Sequence, residues 1–241
     1  MNVQKQKNVQ NQKKDRKLSS GAELTLRILI PVLYGLFYVS VFTWLEHRPV
    51  DSYFIIKMHI DSLIPFCEYF IIPYMLWFLY IAATVGLFAF LDRRDYIRLC
   101  FTLGVGMTVF LLVSYLVPNM QPLRPNLEDI NRDNIFLDIV RGLYAADTCT
   151  NVFPSIHVFN SLAADFAIQK SHQLRDHKIL RICSRILSLS IILSTMFLKQ
   201  HSAFDVLTGI AMAGSLYWFV YYLPETKTVN ALVENLELLK S

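Results

Sequence analysis

Residues 150–169 read TNVFPSIHVFNSLAADFAIQ. Whether this stretch enters a membrane or opens an ordinary helix decides the fold. Pro154 suits the first turn of a helix, where a missing amide hydrogen costs nothing. The residues after it are mostly apolar, yet His157, Asn160, Ser161 and Asp165 interrupt them. His157, Ser161 and Asp165 recur at i, i+4 and i+8, so they share one helix face. Such a stripe on a membrane helix faces the bundle interior and marks function. Taken alone, the stretch could equally be a buried helix; the sequence around it favours the membrane.

Hydrophobic residues make up 54% of the 241 residues and charged residues 17%, against about 25% charged in a soluble domain. The apolar residues fall in long runs, and a run of about 20 crosses the hydrocarbon of a bilayer. Six runs qualify as spans: residues 28–45, 69–91, 97–117, 155–169, 179–198 and 205–223. The fifth carries Arg181 and Arg185 in its first two turns, so it shares the fourth's ambiguity. The expected fold is all-α, a polytopic membrane protein with a bundle of six transmembrane helices over residues 28–224. A basic tail (1–27) precedes it and a short tail (225–241), read as a mildly amphipathic cytoplasmic helix, follows it.

Lysine and arginine set the orientation. With the N-terminus inside, the inner segments hold Lys5, Lys7, Lys13, Lys14, Arg16, Lys17 and Arg27, then Arg93, Arg94 and Arg98, then Lys170, Arg175, Lys178, Arg181 and Arg185. The outer segments hold fewer: Arg48 and Lys57, then Arg124, Arg132 and Arg141, then Lys199. Some of the cations in the second and third of these outer segments are expected to serve a ligand. The basic tail reads as a cytoplasmic anchor; no aromatic-interleaved or helical reading element accompanies it, which argues against nucleic acid as a partner. The tail is also too long and polar for a cleavable signal. Cys67, Cys100, Cys149 and Cys183 have no metal or redox spacing and are expected to be free.

Between the third and fourth spans, Pro118, Pro122 and Pro125 keep the chain non-helical at first. Residues 133–145 then place Ile135, Phe136, Ile139, Val140 and Leu143 at helical spacing, which predicts a short amphipathic helix lying at the membrane interface.

Three polar motifs fall on the outer side. In QPLRP (121–125), the Arg124 guanidinium is a fork matched to phosphate oxygens, although a single arginine could serve lipid headgroups instead. In TNVFPSIH (150–157), Ser155 and the free amides of a helix start can hold an anion, and His157 stands at the surface, where histidine titrates near neutral pH. In FLKQHSAFD (197–205), His201 and Asp205 are one turn apart; a carboxylate taking the proton of one imidazole nitrogen leaves the other as a better nucleophile. The alternative for that pair is a capping aspartate beside an exposed histidine. Convergence of all three on one face points to a single phosphate site.

The order of these motifs resembles the type-2 phosphatidic acid phosphatase superfamily of membrane lipid phosphatases and phosphotransferases. The family pattern is Lys-x6-Arg-Pro, Pro-Ser-Gly-His and Ser-Arg-x5-His-x3-Asp. Arg124-Pro125 matches the end of the first, Pro154-Ser155-Ile156-His157 the second with Ile for Gly, and Ser194, His201 and Asp205 the third. The resemblance covers residues 117–210. It implies that His201 attacks phosphorus to form a phosphohistidine, Asp205 orients it and His157 protonates the leaving oxygen. Arg124, Ser155 and nearby amides would hold the remaining oxygens, with no metal and no other cofactor. The family's lysine and third-motif arginine are replaced by Val117 and Thr195. If the fifth helix runs on, Lys199 lies on the same face as Thr195 and would bind substrate in place of that arginine; as an alternative it snorkels to water. The resemblance implies a phosphatase for a lipid phosphate or diphosphate in the outer leaflet. The alternatives are a lipid phosphotransferase akin to the inositol phosphorylceramide and sphingomyelin synthases, and a non-catalytic lipid-binding protein of the same fold.

Overall fold

The computed structural model describes residues 2–222, with side chains described from Gly21 onward; the expected C-terminal helix at 225–241 lies outside the described residues. Seven α-helices carry the fold: α1 (Asn2–His47), α2 (Ile71–Leu91), α3 (Arg93–Leu116), α4 (Ile135–Ala146), α5 (Ile156–Lys170), α6 (Lys178–Phe197) and α7 (Ala203–Tyr217), the last extended by a π-turn, Trp218–Tyr222. The boundary expected at residue 28 falls inside α1, whose helical backbone begins at Asn2.

Among the described residues, five helical segments are long and apolar enough to cross a membrane: Gly21–His47, Glu68–Leu91, Arg93–Leu116, Lys178–Phe197 and Ala203–Tyr222. Leu33, Phe37, Leu79, Ile179 and Ile186 are among many large apolar side chains left exposed on them. The expected fourth span is different. It forms α5, a helix of 15 residues, about 22 Å at 1.5 Å per residue and shorter than the hydrocarbon core.

Helix α5 packs against α2, α3, α6 and α7, and ten of its 15 residues are buried. Ala163, Ala164 and Ala167 let neighbouring backbones approach it closely. On α3, Gly106 does the same: a Cβ there would lie 2.0 Å from the ring of Phe159. Gly106→Ala is therefore expected to force Phe159, two residues from His157, out of its place. Overpacking costs about 1–3 kcal/mol, to be read as a lower melting temperature in detergent; unchanged melting would mean the α3–α5 seam is looser than described.

The polar stripe of α5 does face the interior, but its end is not part of the same site as its beginning. Asp165, 1% exposed, accepts from Arg185 Nε at 2.6 Å and Ser184 Oγ at 2.9 Å on α6. Arg181 bonds Gln169 Oε1 at 3.1 Å. The two arginines that made the fifth span ambiguous are thus matched by polar groups on its neighbour.

At the other end of the bundle, the 48–70 and 117–155 segments form a cap. Strand β1 (Phe54–Ile55) pairs in parallel with β2 (Asn119–Met120), a ribbon not anticipated from the sequence. Asn119 Oδ1 accepts from the amides of Val152 and Phe153 at 2.9 and 3.0 Å, tying the second motif to the first. Asn134 caps α4 by accepting from Phe136 N and Leu137 N. This helix buries Leu137 and Val140 against Ile71, Tyr74 and Leu198, while Ile135 and Ile139 of the expected apolar stripe face outward. Three outer cations are engaged by the protein, two of them, Arg132 and Arg141, in a segment expected to supply cations to a ligand. Arg48 donates to the last carbonyls of α3, Ser114 O at 2.6 Å and Tyr115 O at 3.0 Å; Arg132 pairs with buried Glu68 at 3.1 Å and Arg141 with Asp138 at 2.5 Å.

Candidate active site

The turn between α6 and α7 positions the third motif. Helix α6 stops at Phe197, and Lys199 adopts a left-handed backbone with φ 54°, uncommon for a residue with a side chain. The turn is pinned on all sides. Gln200 N and His201 N donate to Thr195 O at 2.9 and 3.0 Å, and Gln121 Nε2 donates to Lys199 O at 2.8 Å. Because the helix does not continue, Lys199 does not share a face with Thr195. Its ammonium donates to Asp61 O at 2.7 Å and to Ile64 O, in the cap. Burial lowers the pKa of Lys199, with the Asp61 charge opposing the shift. Thr195 supplies no donor to the site, since its hydroxyl bonds Ile192 O within α6.

Helix α7 opens with a reciprocal cap. Ser202 Oγ accepts from Phe204 N at 3.2 Å, and Asp205 Oδ2 accepts from Ser202 N at 2.9 Å. The same Asp205 oxygen lies 3.4 Å from His201 Nδ1, the loose end of hydrogen-bond geometry and common for catalytic pairs without substrate. A carboxylate can only accept, so this contact assigns the proton to Nδ1 and leaves the Nε2 lone pair free. Asp205 thus caps α7 and contacts His201 with the same oxygen, and His201 is buried rather than exposed.

Asp61 reinforces this start and was not singled out from sequence. It is 2% exposed; its carboxylate accepts from Ser202 Oγ at 2.6 Å, Ala203 N at 2.8 Å and Met58 N at 2.7 Å. It satisfies an orphan amide of the first turn of α7 with a negative charge, where the helix dipole favours one.

His157 enters from α5. Its ring lies against Tyr74 and Trp77, at centroid distances of 4.7 and 4.4 Å, and 5.6 Å from the ring of His201. Its Nδ1 has no protein partner. Ser155 caps α5, its Oγ accepting from Val158 N at 3.5 Å, with Pro154 one position before the cap rather than in the first turn. The start of α5 is pressed against α7: Ser155 N donates to Asp205 O at 3.2 Å, and a Cβ on Gly209 would lie 2.8 Å from Ser155 O.

Arg124 completes the set from behind. Its guanidinium donates to Asp147 O at 2.8 Å, Thr148 O at 2.6 Å and Gln200 Oε1 at 2.5 Å, and stacks 4.5 Å from the Tyr144 ring centroid. Asp147, at the end of α4, has its carboxyl pKa raised by burial, with the Arg124 and His201 charges opposing the shift. Glu46, at the end of α1, accepts from Thr150 Oγ1 at 3.1 Å, Asn151 Nδ2 at 2.5 Å and Thr148 Oγ1.

His157 and His201 border a cavity of about 670 Å³. Tyr38, Phe42, Phe78 and Phe110 give it an apolar wall, and Asp147, Thr148, Thr150, Asn151 and Gln200 a polar end. Among the described residues, no three histidines, cysteines or acids are grouped so as to hold a metal ion, and all four cysteines are unbridged.

A bundle of apolar helices with two facing histidines, one backed by a carboxylate, at the polar end of an apolar cavity defines a membrane protein with a candidate group-transfer site. The chain belongs to the PAP2 superfamily, which it matches over residues 95–228, a family of phosphatases and related phosphotransferases. The match takes in the three motifs and helices α5 to α7. No curated protein and no solved structure matches the chain.

Proposed function

We propose that the protein is a metal-independent phosphatase for a lipid phosphate or diphosphate, acting through a phosphohistidine on His201 at the outer face of the membrane. The observation that carries this reading is the facing pair of imidazoles, 5.6 Å apart, with Asp205 behind one of them. His201 Nε2 attacks phosphorus in line with the leaving oxygen. His157 gives that oxygen a proton and then takes one from the water that hydrolyses the adduct. Ser155 and the first amides of α5 are read as the donors that hold the non-bridging oxygens, the main requirement of a phosphoryl transition state; Arg124, expected to bind them directly, stands behind the cavity wall, bonded to Gln200 Oε1 and to backbone carbonyls. The apolar wall of the cavity suits a lipid tail. The excess of lysine and arginine at the ends of the bundle away from His157 supports a cytoplasmic N-terminus and an outward site. The amphipathic α4, which carries the Asp147 and Thr148 carbonyls to Arg124, is read as lying at that outer interface.

The test is phosphate release from short-chain phosphatidate by the full chain in detergent with EDTA. Release that does not depend on an added alcohol supports the hydrolase. Turnover only with an alcohol acceptor would replace it with the phosphotransferase, a reading favoured by the hydroxyl- and carboxylate-rich rim at Glu46, Thr148 and Thr150. No turnover of either kind overturns both and leaves a lipid-binding protein of this fold.

A further inference from the structure

We propose that the Gln200 carboxamide binds a phosphoryl oxygen in place of a second cation, and that the site consequently prefers a phosphate bearing one negative charge to one bearing two. The inference rests on the phosphate chemistry proposed above and adds both a residue and a charge class of substrate to it.

Gln200 is 2% exposed, yet it lines the cavity beside His201. Its Oε1 accepts from Arg124 Nη2 at 2.5 Å. A guanidinium has only donors, so the amide oxygen must face Arg124 and the amide nitrogen must turn the other way. That nitrogen, Nε2, is buried and has no partner. A buried donor left unmet is destabilising and uncommon in native proteins. The backbone of the same residue is fixed at both ends: its N–H donates to Thr195 O at 2.9 Å, and its carbonyl accepts from Gln121 Nε2 at 3.2 Å. An amide donor oriented by an arginine and held on a pinned turn is preorganised for an anion next to the His201 imidazole.

The charge balance sets the preference. Among the described residues, no lysine or arginine lines the cavity. Lys199 is turned to carbonyls in the cap, and Arg124 meets the cavity wall through the Gln200 amide. The Asp147 carboxylate lines the cavity, and Glu46 is bonded to its Thr150 and Asn151. An amide dipole stabilises an oxyanion without neutralising it, so each additional ligand charge meets Glu46 and any ionised Asp147 with Arg124 held one amide away as the compensating cation. A phosphodiester, or a monoester carrying one proton, fits this field better than a doubly ionised monoester.

The test uses the full chain in detergent micelles and two ligands: dodecylphosphonic acid, whose carbon–phosphorus bond His201 cannot break, and its monomethyl ester, with methanol release followed to exclude cleavage of the ester during the measurement. Binding is measured by calorimetry at a pH where the acid is doubly ionised. The wild type is expected to bind the singly charged ester more tightly than the dianion. Gln200→Ala should weaken both by about tenfold or more, as loss of a hydrogen bond to a charged group does. Gln200→Lys should shift the preference toward the dianion. Equal or tighter binding of the dianion by the wild type overturns the inference, as does unchanged affinity in a folded Gln200→Ala variant or binding of neither ligand. If the variants do not fold, the wild-type preference alone decides. Because binding these ligands needs no phosphohistidine, a protein that binds them as expected but turns over no substrate defeats the proposed reaction and not the role of Gln200. Phosphate release with unaltered Gln200→Ala binding does the reverse.

Discussion

His201→Ala is expected to lower phosphate release by about four orders of magnitude or more, the scale seen when a covalent nucleophile is removed. The wild type, quenched in base during turnover, should carry a phosphoryl group that acid removes, the stability pattern of a phosphoramidate; His201→Ala should carry none. The companion variant separates the two imidazoles. If His157 protonates the leaving oxygen, His157→Ala should slow an alkyl phosphate by about 10²–10⁴-fold and p-nitrophenyl phosphate far less, because that leaving group departs without a proton. Equal losses on both substrates would assign His157 a structural part, such as its packing against Tyr74 and Trp77. Activity surviving in His201→Ala would end the phosphohistidine reading.

Asp61→Ala should be the most destabilising single change in the cap. It removes a buried carboxylate that holds Ser202 Oγ, Ala203 N and Met58 N at 2.6–2.8 Å, leaving Ala203 N and Met58 N without that acceptor and the start of α7 with Asp205 alone. Hydrogen bonds to a charged group contribute about 1.5–3 kcal/mol each and do not add fully, so a loss of about 3 kcal/mol is expected. For a chain of this size that lowers the melting temperature by roughly 6–12 °C. kcat should fall more than KM changes, since the His201 turn shifts while the apolar wall stays. Asp61→Asn, which keeps one acceptor oxygen, should fall between. Melting within a degree of the wild type would show that the cap and the catalytic turn are independent.

What was legible in the sequence, and what was not, follows from the range of each signal. The strong apolar runs give five helices, and the order of the three motifs gives the family. The i, i+4 relation of His201 and Asp205 is local, and it appears as a contact at 3.4 Å. Lys199 shows where local reasoning ends. Its expected position assumed a helix running past Phe197, and one left-handed residue turns the ammonium toward Asp61 and Ile64 instead. Asp61 lies 141 residues from its partner Ser202, and no periodicity connects them. Gln200 was in plain view within the third motif, but its importance depends on which way its amide points, and Arg124 determines that. The stripe at His157, Ser161 and Asp165 was correctly placed on an interior face. Its division between two ends of the bundle required knowing that Ser184 and Arg185 stand opposite Asp165.

That last contact has a consequence for how the chain enters a bilayer. Inserted alone, α5 would carry the carboxylate of Asp165 into hydrocarbon, and α6 would carry Arg181 and Arg185. Each such charge costs about 2.5–3.5 kcal/mol at the centre of an isolated helix. Joined by the short connection at residues 171–177, the two helices can pair Asp165 with Arg185 and Gln169 with Arg181 before either meets lipid. The economical route is to integrate as one hairpin, into a space already walled by α2 and α3. The helix least suited to partition by itself is the one that delivers His157, so the proposed site comes into being only when its neighbours are already in the membrane.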